Sequence, residues 1–266
     1  MEEGSDLITG APGFIGSILA KKLSDSSPIL LSRKATISEN TSYLEYDMQD
    51  SLDHVIQPKI KINNVFHLAH DYSNKIINGK NINISGLEDI VKFCRTRGAK
   101  LLYISSFMAI SAKTIYGKTK LECEEIVKSY QNSIIIRPSV VIDSEGGVFG
   151  TLNKLFKYSP IFPIPGTGDY PMYFVDVHNL VKFIIKCRTI DSKEIIHAYD
   201  RGPIKFTELL DINNKPTIHL PINLLKKILL LPKLLRINLK SLSIDGLDTL
   251  LTMPVIDYEH KNYTDY

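Results

Sequence analysis

Apolar residues in this chain follow two alternating rhythms. Short continuous runs recur as "DLIT", "PILLS", "YLEY", "NVFHLA", "KLLYIS" and "SIIIRPSVV". Runs of this length bounded by polar residues read as strands buried on both faces. Between several of them the apolar positions fall at helical spacing: Ile15, Ile18, Leu19 and Leu23, then Ile84, Leu87, Ile90, Val91 and Cys94, then Leu121, Ile126 and Val127. Strands alternating with amphipathic helices predict a mainly parallel sheet covered on both sides. The first half therefore reads as a doubly wound α/β unit.

After about residue 142 the rhythm changes. "DSEGGVFGTLNKLFKYSPIFPIPGTGDYPMYF" is dense in Gly, Pro and aromatics and predicts loops with one short helix. "VDVHNLVKFIIKCRT" then predicts a helix with Leu180, Phe183 and Ile184 on one face, and "EIIHAYD" a short strand. The tail "LPINLLKKILLLPKLLRINLK" is interrupted by Pro221 and Pro232, so neither piece reaches the length of a membrane span. Its basic residues leave an interfacial helix open, but a helical cap over a cleft is the commoner arrangement, and no membrane contact is expected.

The chain has 266 residues, enough for one large core with a small lobe attached. Its net charge of +3 is spread along the sequence and gives no reason to expect a nucleic-acid partner. Three cysteines, at 94, 123 and 187, have neither metal-ligand spacing nor the look of a disulfide framework. The N-terminus "MEEGSDLITG" lacks the basic start of a signal peptide. A reducing, cytoplasmic setting and no metal are the expectations.

The first candidate for chemistry is "TGAPGFIG". Gly10, Gly13 and Gly16 sit where a strand hands over to a helix; they serve a tight turn, close approach of a diphosphate, and close helix–strand packing. The diphosphate would lie at the helix N-terminus, near Phe14 and Ile15. The second strand ends in Ser32, Arg33 and Lys34 and not in a carboxylate, which favours the 2′-phosphate of NADP(H) over NAD(H). A solvent-facing basic pair is the plainer account of the same residues. Asp47 and Met48, after the third strand, would meet the adenine amino group and ring.

The second candidate is "YISSFMAISAKTIYGKTK". A strand ending at Ser105 and Ser106 is followed by Tyr116 and Lys120, four apart on one helix face. A lysine beside a phenol favours the phenolate, so the tyrosine can exchange protons at neutral pH. Alone, such a pair usually marks a surface helix. After a dinucleotide turn it reads as a catalytic set.

Together these segments resemble the extended short-chain dehydrogenase/reductases, specifically the nucleotide-sugar epimerase, dehydratase and reductase superfamily. "TGAPGFIG", "NVFHLAH", "NINISG", "YISS", "YGKTKLECE", "IIIRPSVV" and "PGTGDYPMYFVDVHNLV" carry the likeness, over about residues 5–210. The resemblance implies a Rossmann fold with a small C-terminal substrate-binding lobe. Residues 1–142 with parts of 175–200 would bind the dinucleotide, and 143–174 with 201–266 would form the lobe. It implies Ser106 as the catalytic hydroxyl, Tyr116 as acid/base, and Lys120 as the residue that tunes it and binds the nicotinamide ribose. Leu68, Ala69 and His70 would line the adenosine side, Asn83 the cofactor face of its helix, and Pro138 and Ser139 the nicotinamide amide. A nucleoside-diphosphate sugar as substrate and a homodimer built on helices 83–97 and 116–129 follow from the same likeness. Lys154, Tyr158, Tyr170 and Tyr173 would meet diphosphate or sugar, with ordinary surface or core roles equally open.

Three departures from the pattern bear on activity. Nine residues separate Ser106 from Tyr116, where the sugar enzymes have a longer segment. Phe107 and Met108 replace the Asp-Glu pair of dehydratases, which argues against loss of water. His178 and Asn179 stand where acidic residues are usual. Reduction of a 4-keto sugar with NADPH is the expectation; 4-epimerisation, reduction of a non-sugar carbonyl, and an NADP-binding sensor or scaffold without turnover stay open.

Overall fold

The fold is that of a computed structural model, which describes residues 4–38, 41–143, 161–190, 193–211, 216–229, 244–256 and 261–266. The chain begins β1 (Ser5–Thr9), α1 (Phe14–Lys22), β2 (Ile29–Ser32), β3 (Thr36–Ser38), β4 (Thr41–Glu45), α2 (Leu52–Val55) and β5 (Ile62–His67). A hairpin of β6 (Ile76–Ile77) and β7 (Lys80–Asn81) leads to α3 (Ile82–Arg97), β8 (Lys100–Ile104), α4 (Met108–Ser111), α5 (Ile115–Lys128) and β9 (Ser133–Pro138). Then come β10 (Val140–Ile142), β11 (Phe162–Pro165), β12 (Pro171–Asp176), α6 (Val177–Lys186), β13 (Ile195–Ala198) and β14 (Arg201–Lys205). The last described elements include α7 (Phe206–Asp211), β15 (Thr217–Leu220), α8 (Ile222–Leu229) and α9 (Ile244–Leu251).

Eight strands form one sheet in the order β13-β9-β8-β5-β1-β2-β4-β3. Every neighbouring pair is parallel except the β3–β4 edge. Strand order reverses at β1, which lies between β2 and β5, and this is the doubly wound Rossmann topology. The continuous apolar runs serve two cores, because successive side chains on a strand point to opposite faces. Leu7, Leu101, Tyr103 and Ile135 pack with α2, α3 and α5 on one face. Ile8, Leu102, Ile104, Ile134 and Ile136 pack with α1 and α6 on the other.

Helix boundaries follow local chemistry. Asn81 caps α3 by accepting from the Asn83 amide, and the helix stops at Gly98, whose φ of 66° is left-handed. Thr114 Oγ1 accepts from the Gly117 amide at 3.0 Å and starts α5. Asp176 caps α6 by accepting from the His178 and Asn179 amides, so those two residues sit exposed in a first turn. The apolar faces of α3 and α5 are buried against the sheet. The groove between the two helices is lined mostly by polar and charged residues such as Glu88, Lys92, Arg95 and Glu125.

Loops were expected up to residue 174, and here the structure differs. β12 is a strand whose Met172, Tyr173, Phe174 and Val175 are all buried. It pairs parallel with β10 and antiparallel with β14 in a second, three-stranded sheet. The glycines that masked it belong to the preceding turn, where Gly166 and Gly168 have φ of 61° and 75°. Among the described residues no helix is long and apolar enough to cross a membrane, and no cluster could hold a metal ion.

A buried ion pair ties α5 to β9. Glu124, wholly buried, accepts from Arg137 Nε at 2.9 Å and Nη2 at 2.6 Å, and also from the Ser105 hydroxyl. Removing one partner strands a buried charge, so Arg137→Met should cost about 3–5 kcal/mol in urea unfolding, and adding Glu124→Gln should recover most of the loss.

Candidate active site

The carboxyl ends of five parallel strands open into one cleft of about 1290 Å³. Such a crevice at the point of strand reversal is where open α/β sheets bind ligands. β1 contributes the glycine turn, β2 Ser32 to Lys34, β5 Leu68 to His70, β8 Ser105 and Ser106, and β9 Pro138 and Ser139. Across from them stand the first two turns of α5 with Tyr116 and Lys120.

The turn admits no side chain at two of its glycines. Gly10 has φ of 69°, and a Cβ there would lie 2.7 Å from the Ala69 amide nitrogen. A Cβ on Gly16 would lie 2.2 Å from the Gly10 carbonyl oxygen. Gly13 is the N-cap of α1 and offers no side-chain acceptor, which leaves the amides of the first turn to a ligand anion. Phe14 and Ile15, in that turn, line the cleft.

At the far end Arg33 and Lys34 are exposed, and Ser32 Oγ accepts from the Lys34 amide at 3.4 Å. Asp47 and Met48 line the same end. One Asp47 oxygen is already engaged by the Gln49 amide and side chain, each at 3.2 Å. Met48 sits tightly under α3, because a Cβ on Gly86 would come within 2.6 Å of its Cβ. Asn83 does not line the cleft. Its buried amide group instead brackets one residue of the neighbouring loop: Oδ1 accepts from the Asp71 amide at 2.7 Å and Nδ2 donates to the Asp71 carbonyl at 3.0 Å.

Around Tyr116 the aromatic and cationic groups converge. Lys120 is buried; its Nζ donates to the Ile104 carbonyl at 2.8 Å and lies 5.9 Å from the Tyr116 ring centre. Burial lowers the Lys120 pKa to about 8, with Cys123 and Glu124 opposing. His70 meets Tyr116 edge-on at 5.1 Å, and Tyr72 stacks on it at 5.6 Å. Burial, then the Lys120 charge, holds His67 down to about 3 and His70 down to about 2. His67 Nδ1 is paired with Thr9 Oγ1 at 2.7 Å. Ser106 Oγ accepts from the Met108 amide at 3.2 Å and borders the same space, whereas the Ser105 hydroxyl is committed to Glu124.

The short segment between Ser106 and Tyr116 is not an open loop. It folds into α4, with Phe107, Met108 and Ala109 buried. Phe107, Met108 and Met253 form an apolar cluster against which Tyr116 and Val140 pack, and all five line the cleft. Met253, with Gly246 and Thr249 of α9, reaches this wall from more than 100 residues downstream, and nothing in those residue types announces it. Tyr46 was also missed: its hydroxyl is buried in the cleft wall without a partner among the described residues. Tyr173 is a core residue whose hydroxyl accepts from the Ile256 amide at 3.3 Å, and Tyr170 stacks on Phe206. Lys154 and Tyr158 lie outside the described residues.

Three buried polar atoms of the cleft, Tyr46 Oη, His70 Nε2 and Ser139 Oγ, have no hydrogen-bond partner among the described residues. Together with the bare turn at Gly13 they fit a long polar ligand such as a dinucleotide. The family model for the NAD dependent epimerase/dehydratase family matches residues 7–189. The chain belongs to that family. No curated protein matches it. Among solved structures it is similar to a UDP-glucose 4-epimerase from Thermotoga maritima, with 20% identity, TM-score 0.69, and 82% of this chain and 85% of that one covered. It is likewise similar to a hypothetical dTDP-4-dehydrorhamnose reductase from Sulfolobus tokodaii, with 21% identity, TM-score 0.65, and 81% and 85% covered. A dTDP-glucose 4,6-dehydratase from Bacillus anthracis in complex with NAD matches at 14% identity and TM-score 0.69, with 82% and 85% covered.

The two histidines make stability depend on pH. Each has a folded pKa below its ordinary value of 6.5, so below that pH the unfolded chain binds more protons than the folded one. Their contribution is complete above pH 6.5 and is lost as pH falls from there towards about 3 for His67 and about 2 for His70. His67→Gln should flatten the thermal-melting profile across this window relative to the wild type.

Proposed function

We propose that the chain is an NADP(H)-dependent reductase acting on the 4-keto carbon of a nucleotide-activated sugar, with Tyr116 as acid/base. The observation that carries the reading is the meeting of Ser106, Tyr116 and Lys120 with the glycine turn in one cleft. When bound, the dinucleotide supplies or removes hydride. Tyr116 gives its hydroxyl proton to the carbonyl oxygen, and Ser106 holds that oxygen. The Lys120 ammonium, held by the Ile104 carbonyl, favours the phenolate left behind and would hold the nicotinamide ribose.

Gly10, Gly13 and Gly16, with Phe14 and Ile15, would hold the diphosphate. Ser32, Arg33 and Lys34 would hold a 2′-phosphate, and Asp47, Met48, Leu68, Ala69 and His70 the adenosine side. Pro138 and Ser139 would border the nicotinamide amide, with Asn83 setting the loop at Asp71. Residues 1–142 with parts of 175–200 then form the dinucleotide unit, and 143–174 with 201–266 the substrate side, in a cytoplasmic enzyme. Self-association through α3 and α5 has weaker support, since their apolar faces are used by the sheet.

Structural neighbours named as epimerase and reductase leave 4-epimerisation as the nearest alternative. A non-sugar carbonyl is a second reading, favoured by the apolar wall of Phe107, Met108, Val140 and Met253 beside Tyr116. Turnover on a panel of nucleotide 4-keto-6-deoxy sugars and simple ketones separates these readings.

Two outcomes are expected. Fluorescence titration should show tighter binding of NADPH than NADH, with Arg33→Ala losing affinity for NADPH selectively; equal affinities in the wild type would overturn the cofactor assignment. Tyr116→Phe should keep cofactor binding while turnover drops roughly 10²-fold or more. In the same steady-state kinetics Ser106→Ala should cost less, and Lys120→Met should weaken both binding and rate.

A further inference from the structure

We propose that Tyr103 is a positioning residue for the reaction above, its ring face holding the Lys120 ammonium beside Tyr116 through a cation–π contact. The inference rests on the reading of Lys120 as the residue that tunes Tyr116. Lys120 Nζ lies 4.9 Å from the centre of the Tyr103 ring and 5.9 Å from that of Tyr116. Lys120 and Tyr103 are both buried, at 3% and 1% exposure. A ring face attracts a cation within about 6 Å, and most strongly where water is excluded.

A buried ammonium needs partners, and few are on offer. Its three donors meet one hydrogen-bond acceptor among the described residues, the Ile104 carbonyl at 2.8 Å. Glu124, one turn further along α5, has its carboxylate engaged by Arg137 and by the Ser105 hydroxyl. The Tyr103 ring, in contrast, is fixed independently of the lysine. It belongs to β8, a strand paired on both sides, with β5 and β9. It stacks on the His67 ring at 5.8 Å with 19° between the planes, and His67 Nδ1 is paired with Thr9 Oγ1 at 2.7 Å. The sheet therefore sets the ring face, and Lys120 reaches it from α5.

The titratable groups around Lys120 leave this contact undisturbed. On α5, burial lowers the Lys120 pKa to about 8, with Cys123 and Glu124 opposing. His67 at the end of β5 and His70 after it are held low by burial and then by the Lys120 charge, so both are neutral at pH 7. That matters at His67, because an imidazolium stacked on Tyr103 would compete for the same π electrons. The Tyr103 phenol is neutral as well, its pKa driven well up, first by burial. Helix α4 carries no titratable side chain. From α3, Glu88 turns to Lys80 and Asp89 to Ser51 and the Leu52 amide, while Asp248 of α9 pairs with Lys226.

The ring face has two effects on the chemistry. It favours the charged form of Lys120 against desolvation, and it holds the ammonium in one place relative to Tyr116. The phenolate left after proton transfer then has its counter-charge already in position.

Fluorination of the ring tests the contact, because it weakens the negative face and keeps the ring size, and with it the fold. Tyr103→Phe and replacements of Tyr103 by mono-, di- and trifluorinated phenylalanine are compared in the whole, cofactor-free protein labelled with ¹³Cε-lysine. The Lys120 resonance is assigned by its loss in Lys120→Met. Tyr103→Phe should leave the Lys120 titration in place, and each added fluorine should move it lower, by about one pH unit in the trifluorinated protein. At pH 8 kcat of that protein should fall roughly five-fold with KM for the carbonyl substrate unchanged, since that much less Lys120 is charged. A Lys120 titration that ignores fluorination would overturn the proposal, as would an unchanged kcat in an active enzyme. So would a full shift already present in Tyr103→Phe, which assigns the effect to the hydroxyl. A graded shift in a protein that turns over no carbonyl supports the contact between ring and ammonium and removes the reductase reading instead.

Discussion

The close approach of backbone to backbone at the end of β1 is the constraint on which the site depends. The Gly10 carbonyl oxygen lies where a Cβ on Gly16 would have to be, and Gly10 itself faces the Ala69 amide across the point of strand reversal. Because no side chain intervenes, α1 starts directly over the sheet edge with its first amides uncovered, and the loop after β5 passes beside it. The cleft exists because these two loops diverge from adjacent parallel strands. A larger residue at either glycine would push α1 away and close the space at its narrowest part.

The second wall is held by burial of charge. α5 is started by the Thr114 cap and clamped to β9 through Glu124 and Arg137, one turn beyond Lys120 and two turns beyond Tyr116. The pair has little net worth as a source of stability, since desolvation offsets most of its attraction. Its geometric effect is larger: a bidentate guanidinium fixes the rotation of the helix about its axis. That rotation brings Lys120 under the Ile104 carbonyl and Tyr116 to the cleft.

Electrostatically the centre is arranged around one buried cation. Burial first, and then the Lys120 charge, lower both His67 and His70, so the imidazoles stay neutral. Among the described residues, Phe107, Met108 and Met253 pack on one side of Tyr116 and Tyr72 stacks on its ring. In such a low-dielectric setting a lysine whose own pKa is brought to about 8 acts strongly on a neighbouring phenol.

By itself the sequence determined the order of strands and helices in the first half and the location of both local motifs. The physical reason is that these signals are short-range: the continuous apolar run of "KLLYIS", the helical spacing of Ile84, Leu87, Ile90 and Val91, and the glycine spacing are set by neighbours a few residues apart. Of the residues singled out from the sequence for the cofactor and the chemistry, all but Asn83 line the cleft. Asn83 has the right helix but the wrong direction, since its amide is drawn to the Asp71 backbone. The strand at Met172–Val175 was obscured by the turn glycines before it, and its burial depends on partners in β10 and β14 that no local pattern reveals. Only the tertiary structure brought Met253 and α9 to the wall beside Tyr116, folded residues 108–111 into a buried helix, and stacked Tyr72 on the Tyr116 ring. Each of these depends on contacts between residues far apart in sequence, where apolar packing is non-directional and leaves no periodic trace in the chain.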